Sequence, residues 1–288
     1  MEKVKVGIIG GSGLYRMDAL ENAAEHVMDT PYGRPSEALV SGTVMGVPAV
    51  FLARHGRSHH LIPTEVPYRA NIHAMKQLGV RYLISLSAVG SLREHIAPLD
   101  MVLPDQFIDL TKHRIGTFFG NGAVAHASMA QPICTFLTDA LASAVEALGP
   151  SDPVHLHRGG TYVCIEGPQF SSRAESNWYR AMGADIIGMT NMPEVKLAWE
   201  AQMAYATLAM VTDYDCWQVT EAPVAADLAM ANLARNAARA QQIVVAAISR
   251  IGKEKPDSSA HQALASALVT PWEAMPPVTR VALGIFED

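Results

Sequence analysis

Residues Tyr205-Ala206-Thr207-Leu208-Ala209-Met210-Val211 form an almost wholly apolar run that leads straight into Thr212-Asp213-Tyr214-Asp215-Cys216-Trp217. Such a run, bounded by polar residues, suits a strand in a largely buried sheet, and a buried sheet needs helices to cover it. Strand side chains alternate faces, so Asp213 and Asp215 are expected to point the same way if the strand persists. Two neighbouring carboxylates repel each other and resist burial. A metal, a proton to be managed or a ligand rich in N–H donors would account for them. A solvated turn after a core strand accounts for them equally well.

Further runs of strand character are Val4–Ile9, Ala49–Ala53, Tyr82–Ser87, Tyr162–Ile165 and Ala184–Ile187. Helical periodicity is expected over Tyr68–Leu78, Ile133–Leu148, Ser171–Met182, Glu194–Met203 and Val224–Ile251. The alternation predicts an α/β fold. Gly149–Asp152 reads as a surface loop, Lys253–Ser259 as a linker and Ala260–Leu268 as a last helical segment. The tail beyond, with Pro271, Pro276 and Pro277, is expected to wrap a surface or a neighbouring subunit, or to fray.

The 288 residues, 49% of them hydrophobic, suit one large domain or at most two. Cys134, Cys164 and Cys216 make neither a disulfide framework nor a zinc spacing, which points to a reducing compartment. The first residues lack the apolar stretch of a signal peptide, and no apolar run approaches spanning length. A cytoplasmic protein is therefore expected, with no membrane partner. A net charge of −6 with scattered Lys and Arg disfavours nucleic acid.

Chemistry-bearing residues recur where strands end. Gly10-Gly11-Ser12-Gly13 follows the first strand and offers N–H groups to an anion, although its spacing matches no nucleotide-binding loop. Arg54-His55-Gly56 ends the second, and a guanidinium beside an imidazole suits phosphate. The adjacent His59 and His60 fit a metal poorly, since neighbouring residues rarely face one ion. Ser87-Ala88-Val89-Gly90 leaves room for a ligand. Ser172 and Glu175 have capping-box spacing, and Phe170 beside them could pack or stack on a heteroaromatic ring. Thr190 or Asn191 could cap the helix carrying Pro193. Each feature has a plain structural explanation, but carboxyl ends of strands are also where open α/β sheets bind ligands.

In order along the chain, Gly10–Leu14, Leu52–Gly56, Ser87–Glu94, Glu166–Glu175, Gly188–Thr190 and Thr212–Trp217 closely resemble the 5′-methylthioadenosine phosphorylases of the trimeric purine nucleoside phosphorylase family. The resemblance spans roughly residues 4–250. It implies a single domain over 1–288 with a central mixed sheet flanked by helices, and a helical tail after about residue 253. It implies phosphorolysis of 5′-methylthioadenosine to adenine and 5-methylthioribose 1-phosphate, with phosphate as co-substrate, no metal or organic cofactor, and a homotrimer. By position, Ser12, Arg54, His55 and Thr190 would hold phosphate, and Ser87 would place phosphate or ribose. Met189 would meet the ribose hydroxyls. Phe170 and Ala88-Val89-Gly90 would flank the purine, with Ser171 and Ile187 among the substrate-lining positions. Asp213 would face N7 and Asp215 the 6-amino group. Ala226 and Ala229 would line the methylthio pocket, and His126 would reach that pocket in a neighbouring subunit.

Relatives acting on 6-oxopurines carry Glu where Ser171 stands and Asn where Asp213 stands. Carboxylates accept from a 6-amino group and repel a 6-oxo oxygen, which favours the aminopurine. Gly188 is a departure, since some relatives have Asn there. The competing readings are a hydrolase of the same bond, a phosphorylase of inosine or methylthioinosine, and a non-enzymatic nucleoside-binding protein.

Overall fold

The computed structural model describes residues 4–11, 19–149, 152–218 and 226–287, with side chains in the last stretch from residue 231 onward. Eleven strands among the described residues join one mixed sheet. They are β1 (Val6–Gly10), β2 (Glu21–His26), β3 (Leu39–Val44), β4 (Val47–Ala53), β5 (Tyr82–Ser91), β6 (Met101–Leu103), β7 (Gln106–Asp109), β8 (Leu156–Arg158), β9 (Thr161–Cys164), β10 (Ile186–Gly188) and β11 (Ala204–Asp213). The helices are α1 (Tyr68–Gln77), α2 (Thr135–Glu146), α3 (Arg173–Ala181), α4 (Asn191–Glu200), α5 (Ala226–Glu254) and α6 (Pro277–Leu283).

Strand β5 organises the sheet. One edge pairs in parallel with β11 from Tyr82 to Gly90. The other edge changes partner: Tyr82–Ser85 pair with β1, whereas Gly90 and Ser91 pair antiparallel with β10. Between these two pairings no strand among the described residues pairs with Leu86–Val89 on that side. A gap where strands diverge is the place where an α/β sheet admits a ligand.

Strand β11 is buried on both faces, as its apolar run predicts. Ala204, Ala206, Leu208 and Met210 join the cluster under α2 and α5, whereas Tyr205, Ala209 and Val211 join the cluster under α1 and α4. Two covered faces need apolar side chains at every position, and the alternation of an exposed strand disappears. Asn232 on α5 donates to the Thr212 carbonyl at 2.7 Å and so ties the helix to the end of β11.

The predicted strands and long helices are present. The capping box at α3 forms, with Ser172 N–H donating to Glu175 Oε2 and Glu175 N–H donating to Ser172 Oγ. Other expectations need correction. Ala260–Leu268 holds only a short 3-10 turn, Ser259–Gln262, and the helix of this region is α6. The tail, by contrast, wraps a surface as expected and does not fray, and none of its described residues lines the cavity described below. Ala260, Met275, Leu283 and Phe286 are buried against the chain's own body, and Gln202 Nε2 donates to the Phe286 carbonyl at 2.9 Å. Val224 lies outside the described residues. No helix among the described residues is long and apolar enough to cross a membrane.

Candidate active site

A cavity of about 260 Å³ opens at the gap in β5. It gathers Arg54 and His55 from the end of β4, Ser87, Ala88, Val89 and Gly90 from β5, and Phe170 and Ser171 from the entry to α3. Ile187, Met189 and Thr190 come from β10 and the start of α4, and Asp213 and Asp215 from the end of β11. Thirteen positions singled out by sequence thus share one space. Ser12 lies outside the described residues, as do the side chains of Ala226 and Ala229. His126 does not line this cavity: it sits on an exposed loop, where its N–H donates to the Ala267 carbonyl.

Arg54 is fully buried and held from all sides. Nε donates to Glu194 Oε2 at 2.7 Å and Nη2 to Glu194 Oε1 at 3.0 Å. Nη2 also meets Ser85 Oγ and the Ile9 carbonyl, and Nη1 donates to the Leu86 carbonyl. A guanidinium has five N–H bonds, which leaves one on Nη1 without a protein acceptor among the described residues. Burial is the largest single influence on Arg54 and pulls its pKa down. The Glu194 charge and hydrogen bonds together outweigh it and leave the group firmly protonated. Ser85 and Tyr205 hydroxyls complete the shell of Glu194.

His55 directs Nδ1 to the Leu61 carbonyl at 2.9 Å, so that nitrogen carries the hydrogen and Nε2 is left as an acceptor. Burial, with the Arg54 charge, pushes its pKa down to about 4, and the imidazole is neutral near pH 7. His59 stacks on it with ring centroids 4.5 Å apart and also lines the cavity.

Ser87 Oγ lies 3.2 Å from Thr190 Oγ1 and 3.1 Å from Tyr162 Oη. Thr190 stands at the N-cap position of α4 but makes no capping bond; the expected cap is absent because the hydroxyl turns to Ser87. Tyr162 explains the glycine at 188. A Cβ there would sit 1.9 Å from Tyr162 Oη, so the tyrosine hydroxyl occupies the space of any side chain.

Asp213 and Asp215 do not alternate along one strand. The pairing with β5 slips between Val211 and Asp213. β11 then ends, and Asp215 opens a 3-10 turn at φ +53°, a left-handed conformation that Asp tolerates better than most residues. Both carboxyls still reach the cavity, because the turn brings Asp215 N–H back onto Asp213 Oδ1 at 2.8 Å. Thr212 Oγ1 lies 2.7 Å from Asp213 Oδ2 and 3.2 Å from the Val89 carbonyl. Its one hydrogen can serve only one of them, and when it serves Val89 the close oxygen pair suits a protonated Asp213. Burial raises both pKa values, and the Asp213 charge adds a smaller rise at Asp215. Asp215 Oδ2 is buried without a partner among the described residues, as are the hydroxyls of Ser171 and Ser176. Those hydroxyls come close enough to oppose the rise at Asp215 without a well-directed bond to it.

Sequence reasoning missed Glu194, Tyr162 and Arg114 as supports. Arg114 is buried and donates to the carbonyls of Met189, Met192 and Glu166, and so fixes the Met189–Thr190 corner. It pairs with Glu166 at 3.1 Å. Burial alone would raise the Glu166 carboxyl, but bonds from Thr64, Lys112 N–H and His113 N–H, with the Arg114 charge, hold it near 2. No local spacing marks these partners, since each contact joins residues tens of positions apart.

Residues 5–249 match the profile of the phosphorylase superfamily. The chain belongs to that family. It is 56% identical to the S-methyl-5′-thioadenosine phosphorylase of Thermosynechococcus vestitus, over 98% of this chain and 97% of that protein. Its backbone is similar to a methylthioadenosine phosphorylase from an antarctic soil metagenomic library, at 57% identity and a TM-score of 0.95 over 99% of both chains. It is also similar to the Schistosoma mansoni methylthioadenosine phosphorylase in complex with adenine, at 37% identity and a TM-score of 0.87, over 93% of this chain and 99% of that one. The phosphorylase family fold is the mixed sheet with flanking helices described above.

Proposed function

We propose that this phosphorylase cleaves 5′-methylthioadenosine with phosphate to give adenine and 5-methylthioribose 1-phosphate. One observation carries the residue roles: a half-buried carboxyl of raised pKa, Asp213, shares a cavity with Arg54, His55, Ser87 and Thr190. Ser87 and Gly90, which abuts Asp213, are three residues apart on β5, or roughly 10 Å at the rise of a strand. That spacing leaves room for a ribose between an anion and a base.

Phosphate sits against the free Nη1 hydrogen of Arg54 and the Ser87 and Thr190 hydroxyls, and a protonated phosphate oxygen donates to His55 Nε2. A phosphate oxygen attacks C1′ as the C1′–N9 bond breaks, with its electron pair leaving on the purine. Asp213 delivers its proton to N7, so adenine departs neutral and Asp213 is left as the carboxylate. Asp215 Oδ2 accepts from the 6-amino group, and exposed Phe170 offers a face for the ring. Leu233 and Pro63 add apolar lining suited to a methylthio group, and such a surface excludes a 5′-hydroxyl only modestly. Adenosine is therefore a slower second substrate. His126 does not line the cavity of its own chain, and by resemblance it acts in a neighbouring subunit of a homotrimer. Phosphate is a co-substrate, and the step needs no metal or organic cofactor.

The test is adenine release from 5′-methylthioadenosine with and without phosphate, beside adenosine, inosine and methylthioinosine. Phosphate-dependent release that favours methylthioadenosine is expected. Release without phosphate would make the chain a nucleosidase, and preference for a 6-oxopurine would reverse the roles of Asp213 and Asp215.

A further inference from the structure

Away from the cavity, Asp100, His155 and His157 place one donor atom each within 4.8 Å of the others. The sheet builds this arrangement. β8 runs parallel to β6 with Leu156 beside Met101, and Met101 N–H donates to the His155 carbonyl. That register puts His155-Leu156-His157 alongside Asp100. Residues two apart at a strand face the same way, and both imidazoles converge on one oxygen. His157 Nε2 is 2.8 Å and His155 Nδ1 3.4 Å from Asp100 Oδ2. The Ala97 N–H donates to the same oxygen at 2.9 Å and fixes the carboxylate, as outer bonds fix metal ligands. Asp100 and His157 side chains are 13% and 14% exposed while His155 is 70% exposed, so the group is anchored below and open to solvent above. His95 stands edge-on to His157, with ring centroids 5.8 Å apart.

We propose that Asp100, His155 and His157 bind one divalent first-row transition-metal ion. Two imidazole nitrogens and a carboxylate oxygen suit zinc, cobalt or nickel and not magnesium or calcium, which prefer oxygen donors throughout. Three protein ligands leave a further position for water or for His95. None of these residues lines the catalytic cavity. The site nonetheless touches the working strand: Leu99 N–H donates to the Val211 carbonyl, and Val211 N–H donates to the Asp100 carbonyl. An ion here would pin the β6–β8 edge to the end of β11, two residues before Asp213. Its effect is on stability, with the chemistry left unchanged.

The experiment uses full-length, tag-free protein stripped of metal, titrated with zinc in a calorimeter and with cobalt by visible absorption. One ion per chain and a raised melting temperature are expected. His155→Ala removes an exposed ligand without disturbing the core, and Asp100→Asn keeps the shape of the carboxylate. Each should weaken binding by about tenfold or more, since even outer-shell changes cost that much at metal sites. His60→Ala, in the rival His59-His60 pair, should leave binding intact. Absence of stoichiometric binding, binding unchanged in both ligand variants, or binding lost in His60→Ala would each overturn the proposal.

Discussion

Asp215 donates its backbone N–H to Asp213 Oδ1 at 2.8 Å. The left-handed turn at Asp215 makes this bond possible, and it leaves the Asp215 carboxyl facing the same space as the group it steadies. One residue thus positions its neighbour through the main chain while its own side chain is left for a ligand. The two carboxyls consequently separate under mutation.

Asp213→Asn preserves the acceptor for Asp215 N–H but cannot give up a proton to N7. We expect kcat with 5′-methylthioadenosine to fall by about 10² to 10⁴, the usual worth of a general acid, with KM little changed. The alkaline limb of the kcat profile against pH should disappear with it, because a raised carboxyl pKa is what keeps the parent acid protonated. A variant as fast as the parent would remove Asp213 from that role.

Asp215→Asn replaces an acceptor by a side chain that can also donate. Preference for the 6-aminopurine over methylthioinosine should fall by about 1–3 kcal/mol, the cost of an unmatched buried hydrogen bond. Competition between the two substrates in one reaction reads the ratio directly, and an unchanged ratio would place Asp215 away from position 6.

Glu194→Gln leaves the Arg54 charge buried without its counter-ion. Loss of one partner of a buried pair costs about 3–5 kcal/mol, and urea unfolding near pH 7 should show it. Stability equal to the parent would mean that the Ser85 and main-chain contacts suffice for Arg54.

The histidine at 55 has a folded pKa pushed down to about 4, against about 6.5 when unfolded. Between those values the unfolded chain binds a proton that the native one does not, so its contribution to stability is lost as pH falls through this window. The full effect is roughly 3 kcal/mol at 1.36 kcal/mol per unit. The stability difference between parent and His55→Gln, measured by urea unfolding at pH 7 and pH 4.5, should therefore shrink on acidification. A constant difference would refute the shift.

Gly188→Ala drives a methyl group against Tyr162 Oη. Overpacking of this kind costs about 1–3 kcal/mol. Tyr162→Phe alone loses a bond to Ser87, and the double variant should be less damaged than the sum of the two. An additive cycle would show that the hydroxyl does not set the limit at 188.

Much of this architecture is legible in the chain because the core strands are locally unambiguous. The apolar run of β11 and the Ser172/Glu175 box form as local rules predict. β2 was not foreseen, since its Glu21–His26 residues are almost all exposed and carry no apolar pattern. β6 and β8 are three residues each, too short for a period to declare itself. The cavity residues are legible as strand ends, and their assignment to a substrate came from the resemblance of ordered motifs. The supports were hidden because Arg54 meets Glu194 across 140 positions and Arg114 meets Met189 across 75. The geometry at Asp215 was misjudged, since nothing in Thr212-Asp213-Tyr214 announces a register slip.

On the phosphate site proposed above, the Arg54–Glu194 pair also sets how phosphate arrives. The arginine's charge is already cancelled within 3 Å, and His55 beside it is neutral at pH 7. The chain as a whole is negative. A phosphate dianion in solution therefore feels no long-range attraction toward this wall and is caught by directed hydrogen bonds after it enters. Capture should be slow relative to electrostatically steered encounters, and added salt should not slow it, since screening only weakens repulsion from the chain's negative charge.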